Sequence, residues 1–323
     1  MVEKDDVQKK TSIGGQALIE GIMMRGPETT SMAVRHTSGD IVLEQWPTKG
    51  KERASLWKAP FIRGIFNFID SMVVGYKCLM RSAELAGLED DDPPEAGEDS
   101  PEKPKKEEGF FSKFGMTLLM TLSAVLGVAL AVGLFLWLPS VLFNLLCIPF
   151  PALDNTTVWR AVFEGVLRIV LFVAYIAVVS LMKDIRRVFM YHGAEHKCIF
   201  CYEKGEALTV ENVRRQIRFH PRCGTSFLIL MLIVGIVISM FIPIRIPLLR
   251  TAVKLLTIPL VVGIGYELIK LAGRSDSPVV RFISAPGLWM QRITTKEPTD
   301  DMIEVAIKAL EAVIPEDPDA DRL

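Results

Sequence analysis

The sequence predicts an α-helical polytopic membrane protein with about four transmembrane helices and a small β-hairpin near its N-terminus. Half of its 323 residues are hydrophobic, and the mean hydropathy of +0.31 is high for a soluble protein. No residue from Phe114 to Leu153 is charged, whereas about 20 apolar residues suffice to span a bilayer. The net charge of −1 gives no global positive field, which argues against nucleic-acid binding.

The N-terminal region, residues 1–87, is predicted to be cytoplasmic and to lie against the membrane. Residues 14–46 alternate apolar and polar side chains and contain Ser38-Gly39, a dipeptide typical of a hairpin turn. Residues 56–87 interleave basic and apolar side chains with a helical period, which indicates an amphipathic helix in the membrane interface. Residues 88–113 are charged and rich in proline, and we expect a disordered linker there.

The predicted membrane domain, residues 114–275, contains four apolar segments of transmembrane length. They are residues 115–138, 162–182, 225–244 and 251–271. Residues 139–153 contain three prolines, so we expect an interfacial or re-entrant stretch after the first segment. The fourth segment is interrupted by charged residues and a proline, and whether it crosses fully stays open.

Loop charge predicts the orientation of these segments. The loop between the second and third segments, residues 183–224, holds nine Lys and Arg residues, which places it in the cytoplasm by the positive-inside rule. With four crossings, both termini are then cytoplasmic, and the tail, residues 276–323, is predicted to carry an amphipathic helix. Arg245 and Arg250 fall in the outer turn and run mildly against the rule.

The stretch YHGAEHKCIFCYE, residues 191–203, concentrates side chains that bind metals. If the second segment continues into the cytoplasm as a helix, His192, Glu195, His196 and Glu203 share one face. Two histidines four residues apart can bind one metal ion, and a glutamate beside them can serve as ligand or base. The order H-x-x-E-H is the inverted form of a zinc-protease signature.

Cys198 and Cys201 belong to the same stretch but not to the same face. On a continuous helix they point about 240° and about 180° away from His192. A C-x-x-C knuckle would need a turn, and residues 197–203 contain neither Gly nor Pro to make one. We therefore favour the histidine and glutamate site over a C-x-x-C site, which remains the alternative.

A zinc site needs more than two protein ligands, and the sequence offers three further candidates. Pro221 disfavours helix at His220, so His220 and Cys223 are predicted to lie in a tight turn before the third apolar segment. Glu267 lies near the cytoplasmic end of the fourth segment, where an acidic side chain beside hydrocarbon is a functional candidate.

The sequence resembles the bacterial YqhQ-like family, an uncharacterised group of membrane proteins labelled as predicted metal-dependent enzymes. The matching blocks are residues 14–27, 63–72, 191–197, 208–227, 265–274 and 285–298. The resemblance implies a role for His192, Glu195, His196, Glu203, His220, Cys223 and Glu267. It implies no role for Cys198 and Cys201, and it places the chain in the bacterial cytoplasmic membrane.

Together these observations predict a cytoplasm-facing site for a divalent metal, Zn²⁺. The predicted ligands are His192, His196 and either His220 or Cys223, with Glu267 as a further candidate and Glu195 as general base on water. The predicted activity is metal-dependent hydrolysis of a membrane-proximal substrate, either a peptide or a lipid-linked molecule. The predicted partners are membrane lipids and this substrate or a protein partner, without nucleic acid; homo-oligomer formation stays open.

Other functions are compatible with the same residues. The cluster can be a structural clasp in a non-enzymatic membrane scaffold or assembly factor, with or without metal. It can also be a surface helix whose His and Glu side chains hydrogen-bond to lipid headgroups and arginines. A transporter or lipid carrier would use Glu164, Arg168 and Glu267, but four segments without a repeat make this less attractive. Glu164 and Arg168 lie one helical turn apart, and we expect a structural pair.

Overall fold

The computed structural model describes residues 9–48, 59–87, 110–274, 277–317 and 319–322. The chain is mostly helical, with a small antiparallel β-sheet near the N-terminus, which confirms the broad fold class. The predicted linker lies outside the described residues except for positions 110–113, which begin a helix.

The chain forms two compact units. The first contains Met1–Asp90, Val173–Gly235 and Ile258–Leu323, and the second contains Asp91–Phe172 and Ile236–Thr257. The β-sheet and the histidine-rich stretch therefore belong to the first unit.

Four strands form the N-terminal sheet: β1 Gly14–Leu18, β2 Gly21–Arg25, β3 Thr29–Arg35 and β4 Ile41–Pro47. They pair antiparallel in chain order. The predicted turn lies between β3 and β4, where Gly39 has a φ of +95°, but β1 and β2 extend the expected hairpin to a sheet. In the turn between β1 and β2, Glu20 adopts a φ of +50°, a conformation that glycine usually provides. The sequence therefore lacks the usual glycine signal for this turn.

The described residues form eleven α-helices. They are α1 Ile62–Leu85, α2 Phe110–Val132, α3 Leu138–Cys147, α4 Thr157–Val179, α5 Lys183–Glu203, α6 Val210–Arg215, α7 Gly224–Ser239, α8 Pro247–Leu256, α9 Ile258–Arg274, α10 Pro278–Thr294 and α11 Asp300–Glu311. The amphipathic helix predicted for residues 56–87 is α1, and positions 56–58 lie outside the described residues. A break at residues 180–182 separates α4 from α5, so the motif helix is an element of its own.

Two helices are long and apolar enough to cross a membrane: Thr121–Cys147 and Thr157–Val179. A third crossing arises if α8 and α9, which meet at a bend of 48°, form one span. The third segment of the sequence prediction is the apolar helix α7, which has only 16 residues. Two or three apolar helices among the described residues are thus compatible with a membrane protein, and four spans are not established.

The first of these spans is longer than the sequence predicts. A π-helical turn at Gly133–Trp137 joins α2 to α3, and the helix continues to Cys147. Pro139 lies just after this π-helical turn, and local π-helical adjustments accommodate proline within apolar helices. The prediction of an interfacial or re-entrant stretch is therefore wrong for residues 139–147, which continue the first apolar helix.

The sheet is packed between helices on both faces, and this packing fixes the motif helix. On one face, Ile22 and Met24 pack with Ala194 of α5 and with Ile303 and Leu310 of α11. On the other face, the strands pack against α1. Helix α11, predicted as an amphipathic helix of the tail, therefore belongs to the core of the first unit.

The expected pair of Glu164 and Arg168 in α4 does not form. Glu164 instead accepts hydrogen bonds from Arg250 and Lys254 of α8. Arg250, which the sequence assigns to an outer turn, is fully buried against this carboxylate. Arg250 and Lys254 therefore take the place at Glu164 that was predicted for Arg168. The side chain of Arg168 donates instead to the main-chain oxygen of Phe135.

Candidate metal centre

Three side chains from two elements converge on one point in the first unit. His192 and His196 lie one turn apart on α5, and Cys223 immediately precedes α7. Each offers one ligand atom, and these three atoms lie within 4.8 Å of one another. His192 Nε2 is 3.1 Å from Cys223 Sγ, and the two imidazole centroids are 4.4 Å apart. His192 is half-buried and the other two are buried, so the group opens on the His192 side.

Both histidines have their other ring nitrogen occupied by a main-chain carbonyl. His192 Nδ1 is 2.9 Å from the oxygen of Thr294, and His196 Nδ1 is 2.5 Å from the oxygen of Arg218. A carbonyl oxygen can only accept, so Nδ1–H donates in both cases and Nε2 keeps its lone pair. Zinc-bound histidines are oriented in the same way by a second hydrogen bond.

Two polar groups of Thr225 lie against the sulfur of Cys223. The main-chain N–H of Thr225 points at Sγ from 3.4 Å, and Thr225 Oγ1 lies 3.3 Å from it. Cys223 also immediately precedes α7, so its side chain lies at the N-terminus of that helix. A thiolate is the form in which cysteine binds metal.

The turn that carries Cys223 is held by a glutamine of α10. Gln291 Oε1 accepts from the main-chain N–H of His220 at 2.7 Å, and Gln291 Nε2 donates to the carbonyl of the same residue at 2.7 Å. A single buried side chain thus satisfies both polar main-chain groups of a residue in a non-helical turn. Neither Gln291 nor Thr294 is among the predicted site residues, although both lie in the family block at residues 285–298.

His220 lies beside the group but not in it. Its ring centroid is 5.6 Å from that of His196, Nδ1 accepts from the N–H of Arg222 at 3.3 Å, and Nε2 is 3.6 Å from Glu203 Oε2. Burial lowers the pKa of His220 to about 4 against the opposing effect of Glu203, so the ring is neutral. His220 therefore packs behind His196, and Cys223 is the third ligand candidate that the structure brings to the pair.

Glu203 belongs to a buried network that ties the N-terminal segment to α5. Its carboxylate accepts from the N–H of Thr11 at 2.8 Å and pairs with Arg222. Burial raises the pKa of Glu203, but His220 and Arg222 outweigh this effect and hold the pKa below its usual range. An ionised carboxylate with these partners stabilises the fold around the site.

Glu195 is buried next to the histidines and is held by the first strand. Its Oε1 accepts a hydrogen bond of 3.1 Å from the N–H of Gly15. Burial raises the pKa of the Glu195 carboxyl, while His192 and the Gly15 N–H act in the opposite direction. The structure therefore fixes this carboxyl beside His192 without including it in the three-atom group.

The structure does not bring Glu267 to this group. Its carboxylate accepts from both Nε and Nη2 of Arg63 and from the N–H of Phe61, with an Arg63 Nε distance of 2.8 Å. This bidentate pair joins α9 to α1, because Arg63 lies in the first turn of α1. The carboxylate is thereby occupied away from the histidines.

Cys198 and Cys201 also lie away from the group, as the helical period predicts. Cys198 is fully buried in the core between α5, the sheet and α11, and burial raises its pKa well above the usual value. Burial raises the pKa of Cys201 to about 11, and its Sγ lies near the carbonyls of Glu206 and Ala207. Both are protonated thiols at neutral pH.

The donor set fits Zn²⁺. Two imidazole nitrogens and one cysteine sulfur are ligands that this ion accepts at a tetrahedral centre. If all three side chains bound a zinc ion, a fourth position would stay open, as in catalytic zinc sites. The two Nδ1–carbonyl hydrogen bonds supply the outer shell that such sites have.

Comparison with known proteins identifies relatives without an assigned activity. A family model described as "Protein of unknown function (DUF1385)" matches residues 59–316. The uncharacterized protein YqhQ of Bacillus subtilis (strain 168) is 36% identical over 303 residues, which cover 93% of this chain and 92% of that protein. No solved structure matches the chain.

Proposed function

The chain belongs to the DUF1385, or YqhQ-like, family, and we propose that its His192, His196 and Cys223 bind a catalytic Zn²⁺ ion in a membrane-bound hydrolase. The observation that carries the proposal is the approach of three ligand atoms to within 4.8 Å. The two Nδ1–carbonyl hydrogen bonds add support, because they leave both Nε2 lone pairs for a metal.

The residues around the group divide the chemistry between them. A bound Zn²⁺ ion supplies Lewis acidity for hydrolysis of an ester, amide or phosphoester. Glu195 takes the proton of the attacking water, and the Gly15 N–H holds its Oε1 in place. The substrate enters on the half-buried His192 side, and we propose a membrane-proximal peptide or lipid-linked molecule.

Metal analysis of the purified full-length protein tests this proposal. We expect about one Zn²⁺ per chain in the wild type after dialysis, and a loss of most of it in His192→Ala, His196→Ala and Cys223→Ser. His36→Ala is the matched histidine control, because His36 lies in the β3–β4 turn and bonds Ser38. Cys78→Ser is the matched cysteine control, because Cys78 packs on the opposite face of the sheet.

Equal and substoichiometric zinc in the wild type and in the ligand variants would contradict the proposal. Loss of zinc in the two control variants as well would point to general unfolding, and circular dichroism of each variant separates that case. The result counts for the metal site only when the ligand variants keep the wild-type helix content.

We propose that the centre faces the cytoplasm. The sheet, α5 and α11 share one hydrophobic core, so these three parts of the chain lie on the same side of any membrane. The number of crossings before α5 and after α5 must then be even. The spans Thr121–Cys147 and Thr157–Val179 supply two before it. After α5, an even number requires that α7 and the bent α8–α9 pair either both cross the membrane or both stay outside it. The uncharged sequence of α7 favours crossing, which gives four crossings in total.

A structural clasp is the second candidate function, and one observation favours it. The group joins α5 to the turn before α7, while Thr294 brings the end of α10 to the same place. Cobalt substitution distinguishes the two functions, because structural zinc sites are closed whereas catalytic sites keep an open position. A hydrolase predicts that acetohydroxamate changes the visible spectrum of the Co²⁺ protein, and a closed clasp predicts no change.

A further inference from the structure

The second unit buries four charged side chains close together. Glu164 and Arg250 are fully buried, Lys254 is 5% exposed and Arg168 is 7% exposed. Glu164 and Arg168 belong to α4, and the other two belong to α8. Arg168 interacts electrostatically with Glu164, Arg250 and Lys254, so the four charges form one cluster.

One carboxylate is shared by the two cations of α8. Glu164 Oε2 accepts from Arg250 Nε at 2.9 Å and from Lys254 Nζ, while Oε1 accepts from Ser140 at 2.9 Å. The other nitrogens of Arg250 donate to main-chain carbonyls, among them Ser239 at 3.3 Å. Both oxygens of Glu164 are thus hydrogen-bonded to residues other than Arg168.

Among the described residues, Arg168 has no carboxylate within ion-pair distance. Its Nε donates to the carbonyl of Phe135 at 2.8 Å. Its Nη2 is buried and has no hydrogen-bond partner among the described residues. No described carboxylate lies within ion-pair distance of this guanidinium, since Glu164 pairs with Arg250 and Lys254 instead.

The charges of the cluster do not balance. Three cations face one anion, and a guanidinium cannot give up its proton in a protein. If Lys254 becomes neutral, one positive charge still remains on Arg168 without compensation. A buried unpaired charge is strongly unfavourable. A water molecule would satisfy Nη2 as a hydrogen-bond acceptor, but it would not neutralise the charge.

We propose that this cluster is a binding site for a small inorganic anion, a halide or a monovalent oxyanion, held by Arg168 with Arg250 and Lys254 beside it. The depth of the site favours a dissolved anion over a lipid headgroup. Arg168 lies eleven residues after Thr157, the start of α4, which places it about 16 Å along a span that crosses about 30 Å of hydrocarbon. Headgroup phosphates lie at the membrane surface.

Anion-dependent stability of the purified full-length protein tests the proposal. Potassium gluconate is exchanged for chloride or nitrate at constant ionic strength in detergent with a zwitterionic headgroup, and the Tm is measured. We expect a saturable rise in Tm for the wild type and for the control variant Arg186→Gln, because Arg186 is exposed. We expect no saturable rise for Arg168→Gln.

Two further measurements keep the proposal testable if Arg168→Gln does not fold. Lys254→Met removes one cation of the cluster, and we expect a half-saturating anion concentration on the order of tenfold higher. Line broadening of the ³⁵Cl NMR signal by the wild type should be reversed by nitrate.

Three outcomes would overturn the proposal: no saturable anion effect in the wild type, an equal effect in Arg168→Gln, or stabilisation by phosphatidylglycerol alone. The last outcome would assign the guanidinium to a lipid headgroup.

Discussion

Gly193 lies between the two histidines of α5, directly against the segment that follows α10. A Cβ at this position would lie 2.0 Å from the main-chain oxygen of Lys296. The N–H of Lys296 donates to the carbonyl of Phe189 at 2.8 Å, so this segment is fastened to α5. The missing side chain at residue 193 therefore permits the close approach that brings the carbonyl of Thr294 to His192.

The substitution Gly193→Ala is predicted to damage the proposed metal centre, although it adds only a single methyl group. Alanine normally stabilises a helix by about 1 kcal/mol relative to glycine, but the collision with main chain here costs about 1–3 kcal/mol. We expect a lower Tm and a zinc affinity reduced about 10–100-fold, because the outer hydrogen bond of His192 is disturbed. Chelator competition measures the affinity.

Gly127→Ala is the matched control for this prediction. Gly127 is also helical, and a Cβ there would meet nothing within 4 Å. We expect wild-type zinc affinity and an unchanged or slightly higher Tm. Wild-type zinc affinity in Gly193→Ala would show that the contact between α5 and Lys296 does not support the centre.

The ligand candidates could be read from the sequence more easily than the groups that orient them. His192 and His196 stand out through their helical spacing, and Cys223 through its place before an apolar segment. Gln291 and Thr294 could not be found in this way, because each bonds to a residue far away in the sequence. Thr294 uses its main-chain carbonyl, and Gln291 binds the main chain of His220. Glu267 is a candidate because its acidic side chain lies near the end of an apolar segment. The sequence does not show that Arg63 pairs with its carboxylate.

At the scale of elements, the position of α5 depends on α11. The two helices and one face of the sheet share a continuous core, in which Ala306 and Leu310 of α11 are fully buried. The amphipathic pattern of the tail predicts this helix but not its packing partner. The four-stranded sheet was undercounted for a related reason, since the β1–β2 turn uses Glu20 at positive φ instead of glycine.

Leu310→Ala is predicted to destabilise the motif helix from a distance. Removal of a fully buried leucine side chain costs about 2–5 kcal/mol through lost burial and a cavity. We expect a lower Tm together with partial loss of bound zinc, because α5 loses part of its support. Glu311→Ala changes the exposed neighbour and should alter neither quantity. A lower Tm with unchanged zinc affinity in Leu310→Ala would show that zinc binding does not depend on the packing of α11.

At the scale of the whole molecule, both ends of the described chain meet beside α5. Thr11 Oγ1 donates to Asp321 at 2.5 Å, and the N–H of Thr11 donates to Glu203 at the end of α5. Burial raises the pKa of Asp321, but Thr11, Tyr202 and Lys9 outweigh this effect and keep the carboxyl ionised near neutral pH. These contacts hold Thr11, the end of α5 and Asp321 together. In the proposed membrane topology, these three parts of the chain therefore share one aqueous compartment.

Reporter fusions test this shared compartment and with it the proposal of four crossings. Green fluorescent protein should fluoresce when fused after Glu206 or after the last residue, since both positions follow an even number of crossings in the proposed topology. Alkaline phosphatase should be active when fused after Thr156, between the first two spans, and after Ile244, between α7 and α8.

An inactive phosphatase after Ile244, with active phosphatase after Thr156, would show that α7 does not cross and reduce the membrane part to two spans. Active phosphatase after Glu206 would place the histidine centre outside the cell and remove the cytoplasmic hydrolase from consideration. Because the sheet, α5 and α11 share one core, an odd number of crossings is not allowed, and the Ile244 fusion therefore decides between two and four.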